Sequence, residues 1–181
     1  MSTSTHLMTA EELFHLQDDG LRHELIKGEL LTMSPLGEEH GAVTLNLAFL
    51  LAQHIRPLKL GTLYAGDTGF KLESDPDTVL APDVAFIRRE RVGALSKGYR
   101  PGAPDLVVEV LSPGDRKGKV EEKTSRWLRL GALAVWLVNP QTKTVDVRLS
   151  NGGRKLLGEN DELTGDEIVP GFRVLVSEIF G

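Results

Sequence analysis

The stretch that most constrains this chain is residues 104–113, Pro104-Asp105-Leu106-Val107-Val108-Glu109-Val110-Leu111-Ser112-Pro113. A short apolar, β-branched run with proline at both ends reads as one buried strand. Side chains alternate along a strand, so Asp105, Val107, Glu109 and Leu111 share one face and Leu106, Val108 and Val110 the other. Glu109 is thereby carried into the interior, where an unpaired carboxylate costs several kcal/mol. Any fold this chain adopts must bring Glu109 a partner: an arginine, backbone donors or a metal ion.

A second stretch of the same make-up, residues 79–87, holds Asp83 in its interior. Asp105 is a poor companion for Glu109, because four residues of strand separate them by roughly 13 Å. Asp83 on a neighbouring strand would come within about 5 Å across the ladder. Two carboxylates on adjacent strands make a hard, oxygen-rich pocket suited to Mg²⁺ or Mn²⁺. Residues 119–130 then read as a helix ending before Gly131, with Val120, Lys123, Trp127 and Leu130 on one stripe. Lys123 either snorkels to the rim or turns its ammonium into the carboxylate site.

These phrases resemble the PD-(D/E)XK, or restriction-endonuclease-like, nuclease superfamily. In particular they resemble its large bacterial family of putative restriction endonucleases, long catalogued as a domain of unknown function. The matching text is Pro82-Asp83-Val84-Ala85-Phe86, then residues 104–113, then residues 123–140 with Trp127, Gly131 and Trp136-Leu137-Val138-Asn139-Pro140. Weaker matches are residues 23–29, Met33-Ser34-Pro35, His40 and Pro170-Gly171-Phe172. Superfamily members often carry a lysine two residues after the strand glutamate, where this chain has Leu111. The family supplies that lysine from the next helix, which maps onto Lys123. Ala134-Val135-Trp136 and Asn139 stand where the family often has an acidic residue and an aspartate.

The resemblance implies an α/β (α+β) restriction-endonuclease-like fold: a central mixed sheet flanked by helices, with additional N- and C-terminal strands. One domain over residues 1–181 is expected, its core at about 38–140. The resemblance further implies metal-dependent hydrolysis of DNA phosphodiesters. Asp83, Glu109 and the backbone carbonyl of Val110 would hold Mg²⁺ or Mn²⁺, and Lys123 would orient or deprotonate the attacking water. Two rival readings share these residues: an inactive nucleic-acid-binding or regulatory module, and a metal-dependent hydrolase acting on something other than DNA. A symmetric homodimer or larger homo-oligomer is expected, on the strength of apolar residues such as Ile179-Phe180 near the end of the chain.

Charge refines the expectation. The net charge of −5 opposes tight nonspecific binding of nucleic acid by the whole surface. Residues 88–129, however, carry eleven Lys or Arg against six Asp or Glu. Arg88, Arg89, Arg116 and Lys117 are the substrate-contacting candidates, the alternative being a solvated basic loop. The chain has no cysteine, which excludes disulfides and thiolate zinc sites. Residues 1–5 are polar without signal-peptide order, and residues 43–55 are too short to span a bilayer; a cytoplasmic protein without membrane contact is expected.

The remaining elements follow in order. Thr9 caps a short helix, with Glu12 completing a capping box. Residues 23–34 form a hairpin turning at Lys27-Gly28. Glu24 lies on an otherwise apolar strand of it, as a satisfied structural residue or one that reaches the site. A helix over 38–55 places His40, Val43, Leu47, Leu50 and His54 on one stripe, with His40 a capping or packing residue or a contact to the site. Residues 61–73 read as a strand broken by Gly66 and Gly69, residues 88–104 as a basic loop, and 133–138 and 143–149 as paired strands. Residues 163–180 add small strands.

Overall fold

The computed structural model describes residues 6–95 and 97–181. The N-terminal segment whose leader-like order was considered above, residues 1–5, lies outside them. Helix α1 (Ala10–Phe14) precedes a hairpin of β1 (Arg22–Ile26) and β2 (Glu29–Met33), and the long helix α2 (Glu38–Leu58) follows. Strands β3 (Gly61–Ala65), β4 (Phe70–Glu73), β5 (Thr78–Leu80), β6 (Val84–Arg88), β7 (Arg100–Pro101) and β8 (Leu106–Val110) lead to α3 (Lys117–Arg129). The chain closes with β9 (Ala134–Asn139), β10 (Thr144–Leu149), β11 (Arg154–Leu157), β12 (Glu162–Thr164), β13 (Arg173–Leu175) and α4 (Ser177–Phe180).

A mixed six-stranded sheet, ordered β11-β10-β9-β8-β6-β3, forms the centre. β8 runs antiparallel to β6 and parallel to β9, the parallel step being bridged by α3. Both faces of this sheet are covered, which is why its strands read as near-continuous apolar runs. Leu106, Val108 and Val110 pack with Val84, Phe86 and the buried residues of α2, while Val107, Ala85 and Ile87 pack with Trp127 of α3. The alternation expected along residues 104–113 is thus realised. A second, five-stranded sheet, β2-β1-β5-β4-β7, brings Phe70 and Leu80 onto the α3 face.

Local expectations hold at the N-terminus. Thr9 and Glu12 form the capping box, with Thr9 N donating to Glu12 Oε2 at 2.7 Å and Glu12 N to Thr9 Oγ1 at 3.2 Å. Lys27 and Gly28 turn the hairpin with φ of 49° and 80°, the left-handed pair that a tight two-residue turn requires. On α2 the buried stripe runs His40, Val43, Leu47, Leu51, Ile55. Leu50 and His54 flank it instead, and His54 Nε2 reaches the Pro170 carbonyl at 2.9 Å. A 3.6-residue period makes that drift inevitable over so long a helix.

Four expectations are corrected. Residues 61–73 are not one interrupted strand: β3 belongs to the central sheet and β4 to the other. A Cβ on Gly69 would meet the Tyr99 ring at 2.3 Å, so the glycine marks a close approach at that crossing. Residues 79–87 likewise divide, with Ala81-Pro82-Asp83 carrying the chain back from β5 to β6, so Asp83 stands at a crossover rather than inside a strand. The described residues of 88–104 are no free loop: a 3-10 turn (Arg89–Arg91) and β7 hold the two ends, and Arg91 bonds Asp105 at 2.8 Å. The apolar surface expected around the terminal segment is present only in part: Val176 and Ile179 are buried and α4 packs on α2, whereas Leu175 stays exposed.

Asp77 joins α1 to the five-stranded sheet, accepting from Ala10 N at 2.7 Å and from Lys71 Nζ at 2.8 Å. Burial pushes its carboxyl up, but Lys71 and the Ala10 amide win and hold it below the usual aspartate range. A depressed folded-state pKa contributes stability above the unfolded pKa and loses it as pH falls through the folded one. Asp77→Asn is therefore expected to cost about 1 to 2 kcal/mol near neutral pH. The gap to the parent in urea unfolding should close below about pH 4; a gap independent of pH would contradict the charge-based account.

Candidate functional site

The site lies where the carboxyl end of β8 meets the crossover before β6. Glu109 faces α3, and α3 answers with two side chains four residues apart on one helix face. Lys123 Nζ lies 3.0 and 3.1 Å from the two Glu109 carboxylate oxygens, and Trp127 Nε1 donates to Oε1 at 2.8 Å. Glu24 arrives from β1: its Oε1 accepts from Ala81 N at 2.9 Å and sits 3.0 Å from Lys123 Nζ. Asp83 takes the Val110 amide on Oδ2 at 2.7 Å, replacing a strand partner where Pro82 leads the chain away. His40, at the first turn of α2, places Nε2 at 3.2 Å from the same oxygen.

Glu24, Glu109 and Lys123 line one open cleft of about 230 Å³, while Asp83 and His40, joined to the same strand end through the Val110 amide, line a neighbouring one of about 370 Å³. The choice left open for Lys123 resolves inward, and Glu24 and His40 resolve toward the site. Arg88 and Arg89 do not join it. Arg88 ends β6 five residues beyond Asp83, roughly 16 Å away, with Arg89 opening the turn after it, and Arg88 bonds Asp105 through its amide at 2.9 Å and its Nε at 3.1 Å. Arg116 and Lys117 open α3 at the correct end of the sheet. Lys117 lines a second cleft, of about 340 Å³, that shares Leu111, Asp115, Val120 and Leu137 with the first.

The electrostatics are those of a site short of positive charge. Burial raises the Glu109 carboxyl to about 7; Lys123 pulls it down, while Asp83 and Glu24 push it up again. Burial works against the Lys123 ammonium, yet Glu109 and Glu24 hold its pKa above the ordinary lysine value. Asp83 is pushed up by burial but kept below the usual range by His40 and the Val110 amide. His40 is pushed down by burial, and the Asp83 carboxylate reverses this to a net rise. Asp83 Oδ1 accepts no hydrogen bond among the described residues, its nearest partner being Arg22 Nη1 at 3.8 Å.

Two participants escaped the sequence reading. Trp127 was placed only on the apolar stripe, although a fully buried indole demands an acceptor for its N–H. Arg22 was passed over, although it lies two residues before Glu24 on a strand and so shares its face.

Lys123→Met should cost about 2–4 kcal/mol in urea unfolding, because two buried carboxylates lose their common cation. Adding Glu24→Gln should return part of that loss, the sign of direct coupling. Strictly additive losses would mean that Lys123 and Glu24 do not share charge.

The architecture has a solved counterpart: a crystal structure described as a putative nuclease belonging to DUF820, from Anabaena variabilis. It superposes with a TM-score of 0.82 at 18% identity, over 96% of this chain and 97% of that one. Among curated proteins none matches the chain. The sequence model of the Uma2 family, putative restriction endonucleases, matches residues 10–177. With nearly its whole length under that model, the chain belongs to the Uma2 family of putative restriction endonucleases.

Proposed function

We propose that this protein is a metal-dependent endonuclease that hydrolyses DNA phosphodiester bonds. The observation that carries the reading is the placing of Asp83, Glu109 and Lys123 at one strand end, Glu109 and Lys123 lining one cleft and Asp83 the next. Among the described residues no group of three or more His, Cys, Asp or Glu closes on a single point. That donor set still suits Mg²⁺ or Mn²⁺, since Mg²⁺ characteristically takes one or two carboxylates and keeps several waters. Asp83 through its free Oδ1, Glu109 and the Val110 carbonyl would hold the ion. Bound there, it would supply a water of lowered pKa and neutralise charge on the phosphoryl oxygens.

The chain's own residues divide the remaining work. Lys123 keeps its proton at neutral pH, so it orients the attacking water and stabilises the charge of the pentacovalent phosphate as a donor rather than as a base. Trp127 and Glu24 hold that ammonium and the Glu109 carboxylate in register. His40, through its contact with Asp83 Oδ2, helps fix the carboxylate with Oδ1 left unbonded. Arg116, Lys117 and the exposed Lys119 place positive charge at the cleft rim, where a DNA backbone would pass. No described helix is long and apolar enough to cross a membrane.

The test is cleavage of duplex, single-stranded and branched DNA with Mg²⁺ or Mn²⁺, alongside calorimetric titration of Mn²⁺. Asp83→Ala and Glu109→Ala should lose both activity and metal affinity. Lys123→Ala should bind the ion and still fail to cleave, by on the order of 100-fold or more. Normal Mn²⁺ binding by Asp83→Ala would remove the basis of the reading, and metal binding without cleavage by the parent would return the protein to the non-cutting alternatives.

A further inference from the structure

Arg22 lies beside Asp83, on the same strand face as Glu24, and its surroundings differ from those of the arginines that are paired with buried acids. It opens β1, and its side chain is 19% exposed. Nε donates to the Asp67 carboxylate, which lies in the crossing from β3 to β4 at a left-handed φ of 65°. Neither terminal nitrogen makes a hydrogen bond among the described residues; Nη1 lies 3.8 Å from Asp83 Oδ1. By contrast Arg88, Arg91, Arg148 and Arg154 are each engaged by Asp105 or Asp146.

That position is also a junction of two clefts. One, of about 370 Å³, lies between α2 and β3 and is lined by His40, Thr44, Ala65 and Asp83. The other, of about 320 Å³, lies under α1 and β1 and reaches Asp19, His23 and Tyr99. Arg22 lines both. A role limited to neutralising Asp83 explains this poorly. The separation exceeds a hydrogen bond, and the Asp83 charge is already met on its other oxygen by the Val110 amide and His40. A guanidinium held through Nε, with its outer edge unengaged where two clefts meet, can receive the oxygens of a phosphate.

We propose that Arg22 is a catalytic residue of this site, whose outer edge takes a non-bridging oxygen of the scissile phosphodiester while Asp67 fixes the plane of the guanidinium. The inference rests on the nuclease reading above and names the phosphate contact within it. Lys123 and Arg22 then flank the reacting phosphorus from α3 and β1.

The experiment compares the parent with Arg22→Ala, Arg22→Lys and Asp83→Ala, using DNA cleavage with Mg²⁺, Mn²⁺ calorimetry and thermal midpoints. Arg22→Ala should lower kcat on the order of 100-fold, change KM by much less, and bind Mn²⁺ as well as the parent or better. Added guanidinium should restore part of its rate, and Arg22→Lys should lie between the two. A parental kcat in Arg22→Ala overturns the inference and leaves the nuclease reading standing. So does a lost rate accompanied by lost Mn²⁺ affinity and no guanidinium rescue, which would mean that Arg22 merely holds Asp83. If the parent does not cleave, or Asp83→Ala cleaves as the parent does, the nuclease reading fails and the inference with it.

Discussion

One carboxylate organises this structure. Glu109 sits on a strand covered on both faces, so it must be satisfied from within the protein or by something the protein admits. Lys123 and Trp127 come from α3 to do the first part, and they do it incompletely: Lys123 is shared with Glu24, and the remaining excess of negative charge leaves the Glu109 carboxyl raised to about 7. The crossover at Pro82 then delivers a third acid, Asp83, to the same strand end. Desolvation explains both the convergence of the elements and the raised carboxyl of Glu109.

The same strand shows what a purely structural acid looks like. Asp105 shares the Glu109 face, is wholly buried, and is matched by Arg88 and Arg91 together with the Arg88 amide. Nothing is left over, and its surroundings are closed by the turn they pin. At the other end two acids share one lysine beside an open cleft, and a third is met by His40 and a backbone amide. Burial alone does not separate the two sites; the balance of donors against carboxylates does.

The interior of this design was legible in the sequence, since β-branched runs bounded by proline and the stripe on α3 are local signals. So were Asp83, Glu109 and Lys123, because acids and a lysine inside apolar runs stand out. What stayed hidden were the places where the chain changes partners. Residues 79–87 look uniform, yet Pro82 and Asp83 belong to a passage between two sheets. Residues 61–73 look like one strand, although the close approach at Gly69 accompanies a change of sheet. Arg88 and Arg89 looked like substrate contacts because charge density carries no direction along a strand, whereas Arg22 was legible only through the parity it shares with Glu24. Arg154–Leu157 pairs with β10 as an edge strand that no local pattern announced.

The shared lysine has a consequence for how such a protein comes into being. Glu24, Asp83, Glu109 and Lys123 are drawn from both sheets and from a helix, across about a hundred residues of sequence. Contacts of that range close late in folding. During synthesis the first acid leaves the ribosome long before the cation that balances it, and the two are joined only when the five-stranded sheet has docked against α3. The charge cluster is thus absent from every nascent or half-folded form of the chain, and it comes into existence only with the complete fold.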